Sequence, residues 1–175
     1  MRALAFGSMI EETPERKMKN ALLISLIALA VPTTALGDHW AIVTGNDTQA
    51  KLVNFSNLKR NGDIVKAWVA NVNIDPATPF DLDLQRVSVN CFDESMNIDA
   101  SYEYLKGKNI NTPNLRPEWN TPPPGSIGQA GILAMCEKDA THEIYSFVYE
   151  TSSIQKEVPK IQKILRDLRK KSKAK

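Results

Sequence analysis

The chain holds only two cysteines, Cys91 and Cys136, and their surroundings constrain the fold more than any other feature. Cys91 lies in Arg86-Val87-Ser88-Val89-Asn90-Cys91-Phe92, an alternating segment. Val87, Val89 and Cys91 point one way and Ser88, Asn90 and Phe92 the other, which is the period of a β-strand. Cys136 ends a short apolar run introduced by Pro122-Pro123-Pro124-Gly125-Ser126. The prolines stop whatever precedes them. Ser126 with Gln129 has capping-box spacing: the serine oxygen takes an orphan helix N–H and the glutamine reaches back. Gln129, Ile132, Leu133 and Cys136 then share one helical face. The helix is apolar nearly all round, so burial is expected, and Gly128 and Gly131 are weak helix formers that permit close approach to a sheet. A Cys91–Cys136 bond staples this helix to the strand and stabilises the fold by about 4 kcal/mol on chain-entropy grounds. The competing reading is a redox-active thiol pair. The structural disulfide is the expectation adopted.

The compartment bears on that choice. Met18-Lys19-Asn20 is a short positive segment, residues 21–31 are apolar, and residues 32–37 are small and polar, ending Ala35-Leu36-Gly37. This is the layout of a secretory signal peptide, residues 18–37, cleaved after Gly37. The apolar run falls short of the about 20 residues a membrane span needs; the alternative is an uncleaved anchor. Residues 1–17 carry Glu11, Glu12 and Glu15 and read as a mis-assigned start or a disordered extension, with translation beginning at Met18. No cysteine stands directly after the apolar run, so a lipid anchor is not expected. Export makes the protein periplasmic or secreted, where two cysteines pair.

The formal net charge of +2 hides a division. Residues 38–152 are acidic overall, and residues 153–175 carry nine of the basic residues against Glu157 and Asp167. Within the acidic body, strands are expected at Trp40-Ala41-Ile42-Val43-Thr44, at Lys51-Leu52-Val53-Asn54-Phe55 and over residues 64–74. That last strand, apolar at most positions, suits one covered on both faces. Met96, Ile98, Ala100, Tyr102 and Tyr104 alternate with Asn97, Asp99, Ser101 and Glu103, giving an inner and a wet face. Asp93-Glu94-Ser95 joins this strand to the Cys91 strand as an antiparallel hairpin. A short strand is expected at residues 109–112. Residues 144–149 fit strand or helix equally. Ile154, Val158, Ile161, Leu165 and Leu168 then form a narrow helical seam, with Pro159 placing the helix start near Glu157 or a kink there. The fold expected is α+β: an antiparallel sheet of about six strands, a disulfide-tethered helix, and a C-terminal basic helix. Residues 38–140 form the domain and residues 141–175 an amphipathic basic extension.

Nothing in the chain has the spacing of a catalytic or metal site. His39 and His142 stand far apart, and a zinc site takes about four ligands, usually in paired spacing. No nucleophile elbow, P-loop or dinucleotide fingerprint occurs. Asp81 and Asp83, in a proline-bearing loop, read as solvated acids. No enzyme activity, cofactor or metal is expected. The basic residues Lys163, Arg166, Arg169, Lys170, Lys171 and Lys173 have two readings: an anion-binding tail for glycan or lipid, or a helix whose seam packs on its own body or on a second copy. No aromatic residue interleaves them, so nucleic acid is not expected. Trp40, Trp68 and Trp119 are either core or a binding surface.

The order of these features resembles the surface-adhesin protein E family of Gram-negative bacteria, over residues 40–136. The resemblance rests on Trp40, Asn54-Phe55-Ser56-Asn57-Leu58-Lys59-Arg60-Asn61-Gly62, Val65-Lys66-Ala67-Trp68, Asn90-Cys91, Tyr104 with Gly107, Trp119, Pro124-Gly125-Ser126 and Cys136. It implies a small antiparallel sheet with a C-terminal helix tethered by a Cys91–Cys136 disulfide. It also implies a non-enzymatic adhesin that binds host matrix and serum proteins and can form a homodimer. The chain departs from the family's namesake in lacking a lipid-anchor cysteine and in carrying the basic segment after Cys136. The alternative is a soluble periplasmic structural or accessory protein with no host ligand.

Overall fold

The structure is a computed structural model that describes residues 37–46, 48–75, 77–139, 145 and 148–173. The expected signal peptide lies outside the described residues except for Gly37. Eight strands form one antiparallel sheet: β1 (Asp38–Gly45), β2 (Gln49–Asn54), β3 (Lys59–Asn61), β4 (Ile64–Asn73), β5 (Leu82–Asn90), β6 (Ser95–Leu105), β7 (Lys108–Asn111) and β8 (Val148–Thr151). The spatial order is β7-β6-β5-β4-β2-β1-β8, with β3 also pairing β4 beyond the end of β2. Six of these are the strands expected from sequence. Of the ambiguous stretch 144–149, Val148 and Tyr149 lie in β8, paired with β1, while residues 144, 146 and 147 lie outside the described residues. β3 is too short and polar to carry a pattern of its own. It exists because Gly62, at φ 59°, lets the chain turn tightly back into β4.

Two helices, α1 (Ile127–Cys136) and α2 (Ile154–Lys173), pack on opposite faces of the sheet. On one face Ile132 and Met135 of α1 meet Val53, Val65, Val69, Val87 and Val89. On the other, Ile154, Val158, Ile161 and Leu165 of α2 meet Trp40, Leu52, Val72 and Leu82. β4 supplies both cores from alternate positions, which is why its sequence is apolar almost throughout. Each buried Val, Leu or Ile contributes roughly 1.5–3 kcal/mol relative to exposure.

The Cys91–Cys136 disulfide is present, its Cα atoms 5.5 Å apart. The cap is close to the expected box. Ser126 Oγ accepts from the Gln129 N–H at 3.2 Å, but the Gln129 side chain reaches one residue further back, to the Gly125 N–H at 2.7 Å. Leu133 does not share the buried face; it is 51% exposed, and the helix turns Gly131, Ile132 and Met135 inward. The glycines explain the rotation. A Cβ on Gly131 would stand 2.6 Å from Lys51 Cδ and one on Gly128 2.9 Å from Pro122 Cβ, so this face alone admits close contact.

Two further expectations are corrected. The inner face of β6 is split by a bulge: Val87 pairs with Ile98 but Arg86 with Ala100, leaving Asp99 extra. One extra residue reverses the alternation. Met96 and Ile98 therefore join the α1-side core and Tyr104 the α2-side core. In α2, the helix begins at Ile154, so Pro159 lies inside it. Four seam residues are buried, but Leu168 is 47% exposed, since by that turn the helix has passed beyond the core.

Candidate functional site

α2 covers only part of its face of the sheet, and the uncovered part carries the chemistry. Register fixes which side chains lie there. Lys59 is directly opposite Lys66, Trp68 is opposite Arg86, and Arg86 is opposite Ala100. Directly opposed residues of antiparallel strands share a face, and Trp68 packs against the α2-side core. The three cations and the indole thus surround one groove of about 630 Å3, closed by Asn57, Asp99 and Pro117. Lys59, Lys66 and Arg86 are exposed, Trp68 half-buried. The Trp68 and Tyr102 rings lie 6.1 Å apart at 38°, within the range of favourable aromatic contact.

The bulge at Asp99 shapes this groove. Its carboxylate accepts from Ser88 Oγ at 2.8 Å and Asn97 Nδ2 at 3.0 Å. Arg86 Nε stands 4.0 Å from the same carboxylate, and its side chain remains about half exposed. Asp99 is thus held by the protein, and among the described residues neither Lys59 nor Lys66 has an ion-pair partner. A second cleft of about 170 Å3 shares Asn57 and Trp68 with the first and runs to Ser153 and Gln155 at the start of α2. The surface is an extended, open trough whose positive charge surrounds an aromatic plane. It suits recognition of an acidic partner.

The other residues singled out from sequence distribute as follows. Trp40 is core, and Trp119 is 51% exposed on the proline-rich loop, away from the groove lining. That loop is fixed to β6 by paired backbone hydrogen bonds between Asn120 and Met96. His39 Nε2 stands 3.4 Å from Glu150 Oε1; His142 lies outside the described residues. Asp81 and Asp83 do not act together. Asp81 Oδ2 accepts from the Lys106 N–H at 2.8 Å in a cleft beside α2. Asp83 is not a loop acid but a half-buried member of β5. It accepts from Ser101 Oγ and from Gln85 Nε2, both at 2.6 Å. Burial pushes its carboxyl above the ordinary range, against those hydrogen bonds. Lys163, Arg166, Lys170 and Lys171 are exposed on α2, with Arg169 half-exposed and Arg166 bonded to Gln162 Oε1 at 3.0 Å. Lys173 belongs to the same helix. None of them lines the groove.

Sequence reading missed Lys59, Lys66 and Arg86 as a group. A signal existed: Lys66 interrupts an otherwise apolar strand on the side that also bears Trp68, which marks an uncovered end. Arg60 was also missed. Its Nη2 donates to the carbonyls of Met135, Cys136 and Glu137 at 3.0, 3.2 and 3.2 Å, satisfying the C-terminal end of α1. Among the described residues no group of His, Cys, Asp and Glu is placed to hold a metal ion, and no helix is long and apolar enough to cross a membrane. No family model, curated protein or solved structure matches this chain.

Proposed function

We propose that the chain is an exported, non-enzymatic binding protein of the surface-adhesin protein E type. On this reading it engages a host or cell-envelope protein through the groove on the uncovered half of the α2-side face. The observation that carries this reading is the convergence of Lys59, Lys66 and Arg86 around Trp68 on the part of the α2-side face that α2 leaves uncovered. Arg and Trp are the residues that most often anchor protein interfaces, and unpaired surface cations speed encounter with an acidic partner. The disulfide supports export, because such bonds persist in oxidising compartments.

The test is titration of the purified chain onto immobilised matrix and serum proteins. Saturable binding that weakens as salt rises is expected. No binding across the panel, together with protein confined to the periplasm and shielded from protease on intact cells, contradicts adhesion and favours a periplasmic accessory role. A second reading, capture of an anionic glycan or lipid by α2, is favoured by the exposed Lys163, Arg166, Lys170 and Lys171. It predicts heparin retention that charge reversal at Lys170 and Lys171 abolishes. Deleting the whole segment is not a usable test, because α2 supplies four of the eleven buried residues of one core.

A further inference from the structure

One row of side chains crosses the trough. Trp40 on β1 is directly opposite Asn54 on β2. The register that pairs Val53 with Val69 sets Asn54 beside Trp68 on β4, and Trp68 is directly opposite Arg86 on β5. An amide thus lies between two indoles, with a guanidinium beyond the second. Trp68 lines both concavities of the trough, and Trp40 and Asn54 line the smaller one. Asn54 is 1% exposed. Its Oδ1 accepts from the Asn57 N–H at 3.3 Å, which fixes the orientation of the amide. Its Nδ2 is buried with no hydrogen-bond partner. A buried donor left unpaired is costly, so the floor of this cleft calls for an oxygen.

The two ends of the trough differ. At one, Lys59 and Lys66 have no ion-pair partner among the described residues, and Arg86 Nε stands 4.0 Å from Asp99, longer than a hydrogen bond. At the other, the Asp38 carboxylate accepts from Asn57 Nδ2 at 3.0 Å and lines the same cleft as Asn54. A fitting ligand carries one acid, turned toward Arg86 and Lys66 and away from Asp38. Toward Asp38 and Asn54 it presents groups that both donate and accept, as hydroxyls do. Between these it has a flat, weakly polar body to lie on Trp68. The face of a pyranose ring suits this, because its C–H groups meet the negative face of an indole. Adjacent strands are about 4.8 Å apart, so Asn54 and Arg86, two strands apart, are separated by roughly 10 Å. One sugar ring with its substituents spans that distance.

We propose that the trough binds the acidic sugar at the end of a glycan: a carboxylated pyranose, either a sialic or a uronic acid. Its carboxylate meets the fork of Arg86, with Lys66 beside it. Its ring lies on Trp68, and an oxygen of a ring substituent accepts from Asn54 Nδ2. This rests on the trough's being the binding surface and names what it grips: the acidic partner is a glycoprotein held by its glycan. The competing occupant is an acidic protein surface held by its own side chains.

The test is titration of the purified full chain with sialyllactose, with a glucuronate-ended disaccharide and with neutral lactose, followed by calorimetry and tryptophan fluorescence. One acidic sugar is expected to bind about tenfold or more tighter than lactose and to shift the emission; which of them does so identifies the acid. Trp68→Ala is expected to abolish that binding. Asn54→Asp, which keeps the acceptor for Asn57 and loses the donor, is expected to weaken it. Two measurements on wild type do not depend on a variant's folding. The free acidic sugar is expected to displace the chain from an immobilised serum glycoprotein, and enzymatic removal of that sugar from the glycoprotein to abolish capture. Binding of neither acidic sugar more tightly than lactose overturns the proposal, as does acidic-sugar binding that survives both Trp68→Ala and Lys66→Glu plus Arg86→Glu. Glycoprotein capture that persists after its acidic sugars are removed, yet is lost in Lys66→Glu plus Arg86→Glu, overturns the sugar as ligand and leaves the trough as a protein-binding surface. Absence of both sugar and protein binding overturns both.

Discussion

At the scale of single residues, the fold depends on polar side chains placed where the backbone has unmet needs. Arg60 is the clearest case: one guanidinium meets three carbonyls at the end of α1, beside the disulfide. Arg60→Ala is expected to cost about 1–2 kcal/mol, read as a lower denaturant midpoint at unchanged slope. Asp93 plays a comparable role in the β5–β6 turn. It accepts from the Ser95 N–H at 3.0 Å and from Ser95 Oγ at 2.6 Å. The Ser95 side chain and backbone hold the Asp93 carboxyl below its ordinary value of 3.8. A depressed carboxyl stabilises the fold above its unfolded value and loses that contribution as pH falls through its folded one. Wild type is therefore expected to lose stability below pH 3.8 more steeply than Asp93→Ala, by denaturation at several acidic pH values. Gly131 is fixed by contact with Lys51. Gly131→Ala is expected to lower the melting temperature although alanine favours helix by about 1 kcal/mol, because the new methyl meets a buried side chain.

At the scale of elements, α2 is part of the fold. Ile154, Val158, Ile161 and Leu165 are buried against the sheet, and Gln162 Nε2 donates to the Asn73 carbonyl at 2.6 Å. Truncation after Leu168 is expected to leave thermal unfolding nearly unchanged, while truncation before Ile154 exposes the second core and gives insoluble protein. Circular dichroism and sedimentation of the two truncations check this. The seam was legible in the sequence because its four- and three-residue steps survive to Leu165. Its landing place was not, because a helix pattern reveals a face and not a partner. The hairpin and the cap were legible for the same local reason, each being specified by residues close in sequence, and the disulfide because the chain holds only two cysteines. The bulge at Asp99 was hidden, since β6 alternates without a break and only its pairing with β5 reveals the extra residue. β3 was hidden because Lys59-Arg60-Asn61 is stabilised by pairing with β4.

At the scale of the whole molecule, a sheet with a helix on each face leaves its remaining surface available for binding. α1 and α2 occupy parts of opposite faces. Beyond α2 lies the trough of Lys59, Lys66, Trp68 and Arg86, assembled from three strands. Little of it was legible, because its members are separated in sequence and only register brings them together. The central claim is that binding resides in this trough and not in the basic end of α2. The measurement that tests it most directly is affinity for an immobilised acidic protein partner. Wild type is compared with Trp68→Ala, with Lys66→Glu plus Arg86→Glu, and with Lys170→Glu plus Lys171→Glu. Trp68→Ala is expected to cost about 2 kcal/mol, roughly thirtyfold in Kd. The Lys66 and Arg86 reversals are expected to abolish binding, and the Lys170 and Lys171 reversals to leave it nearly unchanged. Full affinity in both trough variants, or its loss in the α2 variant alone, would contradict the account.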